Sequence, residues 1–309
     1  MRNKIVVIGS LNYDIILKSH RLPELGETMP VDQASFSAGG KGANQAVQAA
    51  KLGIPTYMVG CVGNDAQGAH LLQTAEKYGV NTQYVREVST SSGMGIINAL
   101  EDGSVFASIV RGANYVVTKA DIDAAESVLR EAAIVILLME IPLEIKQYAI
   151  EKAKECGCKV LLNAAPAVEV SPDILRQCDI IVVNEVEAAF YIKEEMDSVE
   201  RAREGAAKMA AAYGCDIIMT LGKAGAVLSD SGSISFIPSK KVNAIESTGA
   251  GDSFIGGVGY ALIQGMSLTQ ACEFATCCSA ITVCRLGAQD SMPTLEEVQA
   301  KADTFTVNE

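Results

Sequence analysis

Histidine is scarce in this chain, tryptophan is absent, and the cysteines do not fall into a metal-binding pattern. The 309 residues contain two histidines, and neither lies in a setting that suggests a catalytic triad. Nine cysteines are present, but Cys156-x-Cys158 and Cys277-Cys278 match no zinc-site spacing. We therefore expect no metal bound by cysteine or histidine, and reduced thiols that mostly fill the core of a cytoplasmic protein.

Basic residues are fewer than acidic ones, and the apolar runs are short. The 25 Lys and Arg against 37 Asp and Glu give a formal charge of −12, which disfavours nucleic acid and anionic membranes as partners. The run 5–8 ends at Gly9-Ser10, and the longest run, 132–139, is too short to span a bilayer, so no secretion signal or membrane segment is expected. The composition, 49% hydrophobic and 20% charged, excludes disorder, collagen and coiled coil and predicts a single domain over 1–309.

Short apolar runs alternate with helical patterns along most of the chain. Strands are predicted at 4–9, 56–61, 133–139, 159–163, 179–183 and 216–221, followed by a hairpin at 225–229 and 233–237. Helices are predicted at 43–52, 66–78, 121–131, 143–156, 172–177, 185–191, 198–213, from 251 to about 285, and at 294–302. This order is typical of an α/β protein with a mostly parallel central sheet and helices on both faces.

Two segments do not follow this alternation of strands and helices. Residues 13–38 contain Pro23, Gly26 and Pro30 among alternating residues, and 94–112 contains two strand patterns around Glu101-Asp-Gly103. Segments outside the βαβ order lie on the surface and often cover a site. We predict that the two segments form a small β-sheet lid over the edge of the main sheet.

The strongest local signal is Ser247-Thr-Gly-Ala-Gly-Asp-Ser-Phe254, at the start of a predicted helix. Its glycines, Gly249 and Gly251, let backbone N–H groups approach an anion at a helix N-terminus, which favours a phosphate or oxyanion cradle. Asp252 is either a helix-stabilising acid or a group that handles a proton or a metal, because an acid beside a phosphate is otherwise repulsive. The motif is neither a Walker A loop nor Gly-x-Gly-x-x-Gly, since Phe254 takes the third glycine position.

A second glycine cluster, Ala38-Gly-Gly-Lys-Gly-Ala-Asn-Gln-Ala46, precedes a predicted helix. It is either an ordinary capped loop or a site for a polyhydroxylated ligand, because a lysine and two amides stand where the backbone approaches closely. Asn12 and Asp14, just after the first strand, are either turn residues or further contacts to hydroxyl groups.

Two weaker motifs also follow predicted strands. Glu187 in Asn184-Glu-Val-Glu187 is suited to hold Mg²⁺ through water, although Asn184 is equally suited to cap a helix and Glu187 to face solvent. The motif Thr220-Leu-Gly-Lys-Ala-Gly225 is either a hairpin turn or a nucleotide-binding loop.

Taken together, these motifs resemble the PfkB sugar-kinase family, and the resemblance runs from about residue 4 to about residue 300. The motifs that carry it, in the order in which the family has them, are Gly9-Ser-Leu-Asn-Tyr-Asp14, Gly39-Gly-Lys-Gly-Ala-Asn-Gln-Ala46, Asn163-Ala-Ala-Pro-Ala167, Asn184-x-x-Glu187, Thr220-Leu-Gly-x-x-Gly225, Thr248-Gly-Ala-Gly-Asp252 and Gly287-Ala-Gln289.

The resemblance implies a Rossmann-like α/β fold with a β-sheet lid and transfer of the γ-phosphate of ATP to a sugar hydroxymethyl group, assisted by Mg²⁺. D-ribose is the first expected sugar. The alternatives are another sugar, a sugar phosphate or acid, a nucleoside, and a sugar or nucleotide sensor without catalytic activity. A homodimer formed through the lid is also implied.

The resemblance further implies a role for each matching residue. Asp252 is expected to be the general base, with the backbone of Gly249, Ala250 and Gly251 as an anion hole. Sugar contacts are expected from Asn12, Asp14, Gly40, Lys41, Asn44, Ile109 and Glu140. Nucleotide contacts are expected from Asn184, Thr220, Gly222, Gly225 and Thr276, and a magnesium contact through water from Glu187.

Four positions depart from the family pattern. Glu246 stands where the family has an Asp that, with Thr248, belongs to a monovalent-cation site, so the response to K⁺ is expected to change. Tyr13 replaces a small residue, and Thr276 stands where an amide or imidazole is common. Arg111 replaces an aliphatic or small lid residue. It lies two residues after Ile109, so in a regular strand both side chains point to the same face, toward the sugar, where a guanidinium favours an anionic sugar. A bulge at Gly112 would reverse this direction.

Overall fold

The computed structural model describes residues 2–101, 105–302 and 304–307, and it is built around a nine-stranded sheet. The strands lie in the order β13-β12-β11-β10-β9-β8-β1-β4-β5, with every neighbouring pair from β11 to β5 parallel and the β12 and β13 pairings antiparallel. Their bounds are β1 Lys4–Ile8, β4 Thr56–Gly63, β5 Val80–Val88, β8 Ala132–Leu138, β9 Lys159–Asn163, β10 Ile180–Asn184, β11 Asp216–Thr220, β12 Gly225–Asp230 and β13 Ser233–Pro238.

Helices cover both faces of this sheet, as the alternation of strands and helices predicts. Strand β1 shows why: Ile5 and Val7 belong to one buried cluster, and Val6 and Ile8 belong to a second cluster on the opposite face. The helices are α1 Lys41–Lys51, α2 Ala66–Lys77, α3 Lys119–Ala124, α4 Glu126–Leu129, α5 Leu143–Glu155, α6 Pro172–Leu175, α7 Glu185–Ile192, α8 Val199–Tyr213, α9 Ala250–Ile263, α10 Leu268–Thr282 and α11 Leu295–Ala302. Within the described ranges, none of them is long and apolar enough to cross a membrane.

The segments that depart from the main rhythm form a separate four-stranded sheet, as predicted. Its strands are β2 Asn12–Ser19, β3 Gln33–Gly39, β6 Gly93–Leu100 and β7 Val105–Val110, in the order β3-β2-β6-β7. We call these four strands the lid sheet. Asp102 and Gly103, part of the predicted turn, lie outside the described residues.

The structure differs from the sequence analysis at three elements, the first being the helix predicted at 121–131, which is divided into α3 and α4 at Ala125. Strand β5 was not predicted, because it is a half-buried edge strand in which Asn81, Thr82 and Gln83 interrupt the apolar pattern. The helical stretch predicted from 251 to about 285 is divided into two helices: α9 ends before Gly265, which has φ +80°, and a capping box between Ser267 and Gln270 starts α10.

Candidate active site

The two glycine clusters meet where helices α1 and α9 pack against each other. Helix α1 begins at Lys41 after Gly40, whose φ of 88° and close approach to the backbone of Leu11 and Asn12 leave no room for a side chain. Helix α9 begins at Ala250 after Gly249, which is left-handed with φ 77°. Both helices therefore direct their positive N-terminal ends toward one region.

Asp252, in the first turn of α9, is held by two amides from α1. The Nδ2 group of Asn44 donates to its Oδ2 at 2.9 Å, and the Nε2 group of Gln45 donates to its Oδ1 at 2.9 Å. Gln289 in turn donates from Nε2 to Asn44 Oδ1 at 3.1 Å. Asp252 is therefore not a solvated helix-capping acid; its carboxylate has a fixed direction, and each of its oxygens accepts a hydrogen bond.

Asp14 lies in the lid sheet above two glycines that make room for it. A Cβ atom on Gly39 or on Gly95 would collide with the carboxylate of Asp14. Burial, followed by the nearby charge of Glu140, raises the pKa of Asp14 to about 7, while Lys41 acts in the opposite direction. Near neutral pH this side chain therefore exists in both its acidic and its basic forms.

Lys41 supplies positive charge among these acids. Its Nζ atom lies 3.8 Å from Glu140 Oε1, and Glu140 also accepts a short hydrogen bond from the hydroxyl of Ser10. Burial lowers the pKa of Lys41, but the charges of Asp252, Glu140, Glu187 and Asp14 outweigh it, so that the pKa is raised. Lys41 thus remains protonated and is near all four carboxylates.

Asn12 is oriented by Asn114, which lies just after the last lid strand. Asn114 accepts from the Leu11 N–H at 2.9 Å and donates from Nδ2 to Asn12 Oδ1 at 2.7 Å. Because the oxygen of Asn12 already has this donor, its Nδ2 group is the part left to meet a ligand. Asn12 and Asn114 are 4% and 2% exposed, so this orientation is well shielded.

A pocket of about 330 Å³ lies beside the N-terminus of α9 and is the candidate nucleotide site. Its lining includes Thr220, Gly222, Gly225, Gly251 and Thr276, so four of the five residues expected to contact the nucleotide line one pocket. No heavy atom lies within 4 Å of the position that a Cβ atom would take on Gly251, which leaves the space a phosphate chain needs. The Thr276 hydroxyl donates to the Cys272 carbonyl at 2.8 Å and does not point freely into the pocket.

Asn184 and Glu187 form the capping box of α7. Asn184 Oδ1 accepts from the Glu187 N–H at 2.8 Å, and Glu187 Oε2 accepts from the Asn184 N–H at 2.8 Å. Burial raises the pKa of Glu187, which also senses the charges of Lys41 and Asp252. No cluster of three or more His, Cys, Asp or Glu side chains that could hold a metal ion occurs in the described part of the chain.

Glu246 joins two of the motifs. Its Oε2 atom accepts from the Gly287 N–H at 2.9 Å, which ties the segment before the glycine cradle to the Gly287-Ala-Gln289 motif. Thr248, the other residue expected at a monovalent-cation site, is exposed.

Ile109 and Arg111 differ in where the structure places them. Ile109 pairs with Gly95, which pairs with Asp14, so the three residues share one face of the lid sheet. Strand β7 ends at Val110, and Arg111 has helical φ and ψ of −61° and −45°. Strand alternation therefore does not extend to Arg111, whose exposed guanidinium lies 4.4 Å from the ring centre of Tyr115. The structure does not bring Arg111 into contact with the site residues.

Sequence reasoning assigned no role to three side chains that shape this site, Ser10, Asn114 and Gln289, and it grouped Gln45 with Asn44 as amides for a polyhydroxylated ligand. Ser10 stands inside a recognised motif, and so do Gln45 and Gln289. The contacts of Gln45 and Gln289 join residues more than 200 positions apart, and no spacing pattern in a single sequence reveals such a contact.

Comparison with known proteins agrees with the fold. The family model described as pfkB family carbohydrate kinase matches residues 2–295. The chain is 38% identical to the ribokinase of Schizosaccharomyces pombe, over 95% of this chain and 96% of that one. It is 35% identical to the deoxyribokinase of Salmonella typhi, with the same shares covered.

Among solved structures, that of Arabidopsis thaliana ribokinase in complex with ribose and ATP superposes with a TM-score of 0.89. It is 30% identical to this chain and covers 98% of this chain and 99% of its own. The central sheet and the separate lid sheet are therefore those of the ribokinase fold. On the family model, the curated relatives and the structural match, this chain belongs to the PfkB family of carbohydrate kinases.

Proposed function

We propose that this protein transfers the γ-phosphate of ATP to the hydroxymethyl group of D-ribose and so forms ribose 5-phosphate. The observation that carries the proposal is the position of Asp252. Its carboxylate is fixed by two amides at the N-terminus of α9, beside the nucleotide pocket and within the electrostatic reach of Asp14 and Lys41. A sensor that only binds its ligand has no need for such a base, so this arrangement favours an enzyme.

In the proposed reaction Asp252 accepts the proton of the attacking sugar hydroxyl as the new P–O bond forms, while the bond between the γ-phosphorus and the bridging oxygen breaks and ADP leaves with that oxygen. The backbone N–H groups of Gly249 and Gly251 then stabilise the negative charge on the transferring phosphoryl group, aided by the helix N-terminus, while the Ala250 N–H donates to the Ser247 carbonyl at 3.2 Å in this structure. Phosphoryl transfer depends mainly on positioning and charge stabilisation, so a carboxylate suffices as the base when the proton leaves late.

The sugar site is suited to a small neutral polyol. Asn12 offers an N–H donor, Asp14 a carboxylate and Lys41 an ammonium group, and each of these can bond a hydroxyl. The stacking of Arg111 on Tyr115, away from these side chains, weakens the argument for a sugar phosphate or a sugar acid. The similarity to a deoxyribokinase makes 2-deoxyribose the most informative alternative.

A coupled assay of ADP release over a substrate panel tests this proposal. D-ribose is expected to have the highest kcat/KM, above 2-deoxyribose, fructose 6-phosphate, 2-keto-3-deoxygluconate and adenosine. A variant with Arg111 replaced by alanine serves as a control and should keep the same ranking. A higher kcat/KM for an anionic sugar, lost in Arg111→Ala, would overturn the choice of ribose and make Arg111 the specificity residue.

We further propose that Mg²⁺ is held through water by Glu187, and this leads to a first prediction. Mg²⁺ supplies charge neutralisation at the phosphates when it is bound. Changing Glu187 to glutamine is expected to raise the Mg²⁺ concentration for half-maximal rate, because a neutral amide attracts a hydrated cation less strongly. Glutamine can still accept from the Asn184 N–H and so keep the helix cap. An unchanged Mg²⁺ titration would show that Glu187 serves only as that cap.

A second prediction concerns K⁺, which we propose as an activator with a weakened effect in this protein. The longer side chain of Glu246 carries its carboxylate to the Gly287 N–H, away from where a shorter aspartate would place it. We expect K⁺ to raise activity only slightly over Na⁺ or a bulky organic cation, and Glu246→Asp to increase the response. Strong K⁺ activation of the unaltered protein would refute this.

We propose in addition that the protein is a cytoplasmic homodimer joined through the lid sheets. Lid residues Phe36, Phe106 and Ile109 are 60%, 49% and 54% exposed, which is a large apolar area for a monomer to leave in water. All nine cysteines are free thiols, which suits a reducing compartment. Light scattering should give twice the chain mass, and the mass should fall toward that of a monomer when Phe36 and Phe106 are changed to serine.

A further inference from the structure

The amide of Gln45 contacts the proposed base but makes no use of its own oxygen. Gln45 is fully buried and donates from Nε2 to Asp252 Oδ1 at 2.9 Å, while its Oε1 atom has no hydrogen-bond partner among the described residues. A buried carbonyl oxygen without a partner destabilises the fold, and an apolar side chain of the same shape would avoid that cost. The hydrogen bond to Asp252 is therefore what the amide of Gln45 provides and an apolar side chain would not.

A neighbouring amide on the same helix provides a contrast. Gln48 lies about one turn further along α1, is also fully buried, and uses both ends of its amide. Its Nε2 atom donates to the Pro293 carbonyl at 3.0 Å, and its Oε1 atom accepts from the Ser253 hydroxyl at 2.7 Å. Gln48 thus joins α1 to α9 with no contact to Asp252, as a structural amide should.

Gln289 extends the arrangement on the other side of Asp252. It is 4% exposed, donates to Asn44 Oδ1, and also leaves its own Oε1 atom without a partner. Because the oxygen of Asn44 is occupied by this donor, Asn44 must present its Nδ2 group to Asp252. Both glutamines therefore leave an oxygen unsatisfied, and both determine how a donor meets the carboxylate.

We propose that Gln45 and Gln289 are positioning residues that hold the Asp252 carboxylate in the direction needed to accept the sugar proton, Gln45 directly and Gln289 through Asn44. The inference rests on the proposed role of Asp252 as the base. Asp252 lies in the field of like charges from Asp14 and Glu187 and of the opposite charge on Lys41. With both amide donors in place, each oxygen of the carboxylate is held by one hydrogen bond and the direction of the group is fixed.

The test replaces each glutamine with methionine, which has nearly the same length and no hydrogen-bonding amide. Gln45→Met is expected to lower kcat by about 10–10²-fold, the loss typical of a misdirected reacting group. The KM values for ribose and for ATP should change by less than about threefold, since neither substrate relies on Gln45 for binding. Gln289→Met should lower kcat in the same way but by a smaller factor, because it acts through Asn44.

Gln48→Met is the matched control. It removes a buried amide from the same helix and the same interface, so it should lower Tm by leaving the Pro293 carbonyl without its donor and the Ser253 hydroxyl without its acceptor. Its kcat should stay within about threefold of the unaltered protein. Gln45→Met should have the opposite pattern, with a Tm at or above that of the unaltered protein and a reduced kcat.

Gln45→Glu provides a second variant of the same shape should the methionine variant fail to fold. It places a second carboxyl group against Asp252, and two acids at that distance share a proton, so kcat should fall at neutral pH. The proposal is overturned if the folded variants at position 45 keep kcat within threefold, or if Gln48→Met loses as much kcat as they do. An unaltered protein that phosphorylates no sugar would instead refute the proposed function.

Discussion

Changing Asp252 to asparagine is expected to lower kcat by about 10²–10⁴-fold, the range for losing a positioned general base. Asparagine has nearly the same shape, and its remaining oxygen can still accept from Asn44 or Gln45. The N-terminal end of α9 is therefore retained, while the new amide nitrogen faces one of the two donors, so that one of the two hydrogen bonds is lost together with the base.

Single-turnover measurements of phosphate transfer, with calorimetric binding of ribose and of an ATP analogue, check this prediction. Binding of both ligands should stay within about threefold of the unaltered protein. Asp173→Asn is a suitable control, because Asp173 is also an acid in the first turn of a helix but is paired with Arg176 at the surface. If Asp252→Asn retained most of its turnover, Asp252 would be a helix-stabilising acid and not the base.

The affinity for ribose is expected to increase as the pH rises through about 7. Burial, followed by the charge of Glu140, raises the pKa of Asp14 to about 7 from an ordinary value of 3.8. Below that pH the carboxyl group is protonated and loses acceptor capacity for sugar hydroxyls; above it both oxygens accept. If sugar binding requires the charged form, the Kd should fall by about tenfold per pH unit below 7 and level off above it.

Calorimetry between pH 5.5 and 8.5 measures this dependence. Asp14→Asn should remove the pH dependence and weaken ribose binding by about 10–10²-fold, because a site that recognises hydroxyl groups depends on each hydrogen-bond partner. ATP affinity should not change. An affinity for ribose that does not vary with pH in the unaltered protein would contradict the role of Asp14 as a charged acceptor.

The raised pKa of Asp14 also makes the stability of the fold depend on pH. Between pH 4 and 7 the folded protein holds a proton on Asp14 that the unfolded chain has released, so this residue makes the protein less stable as the pH rises. Above pH 7 the unfavourable contribution is complete. Asp14→Asn should therefore raise Tm at pH 8 more than at pH 5, and a variant that gains stability while losing ribose affinity is typical of a binding residue.

Much of the fold was predictable because its signals are local. Strand β1 is a run of apolar residues that ends at Gly9, and α1 follows a glycine loop, so both are visible within a few residues. Strand β5 was missed because an edge strand exposes half of its side chains and loses the apolar run. The break between α9 and α10 did leave a local signal, Gly265 followed by Ser267 and Gln270, which the longer helical pattern obscured.

The candidate site was predictable as a set of motifs but not as a set of contacts. The sequence indicated that Asp252 had a chemical role, yet the amides that fix it come from α1, more than 200 residues earlier. The alternation of side chains along strand β7 did not predict the direction of Arg111, because β7 ends one residue before it. The pKa of Asp14 depends on burial and on Glu140, which only the folded arrangement brings near.

Phosphorus and proton NMR of a reaction containing ATP, Mg²⁺ and D-ribose tests the central claim most directly. With the unaltered protein we expect a new phosphomonoester signal coupled to the two protons of the hydroxymethyl carbon, formed together with ADP in equal amount. With Asp252→Asn, the same signal should appear at least about 10²-fold more slowly. A phosphate attached to another carbon, ADP formed with no sugar ester, or equal rates in the two proteins would contradict the account.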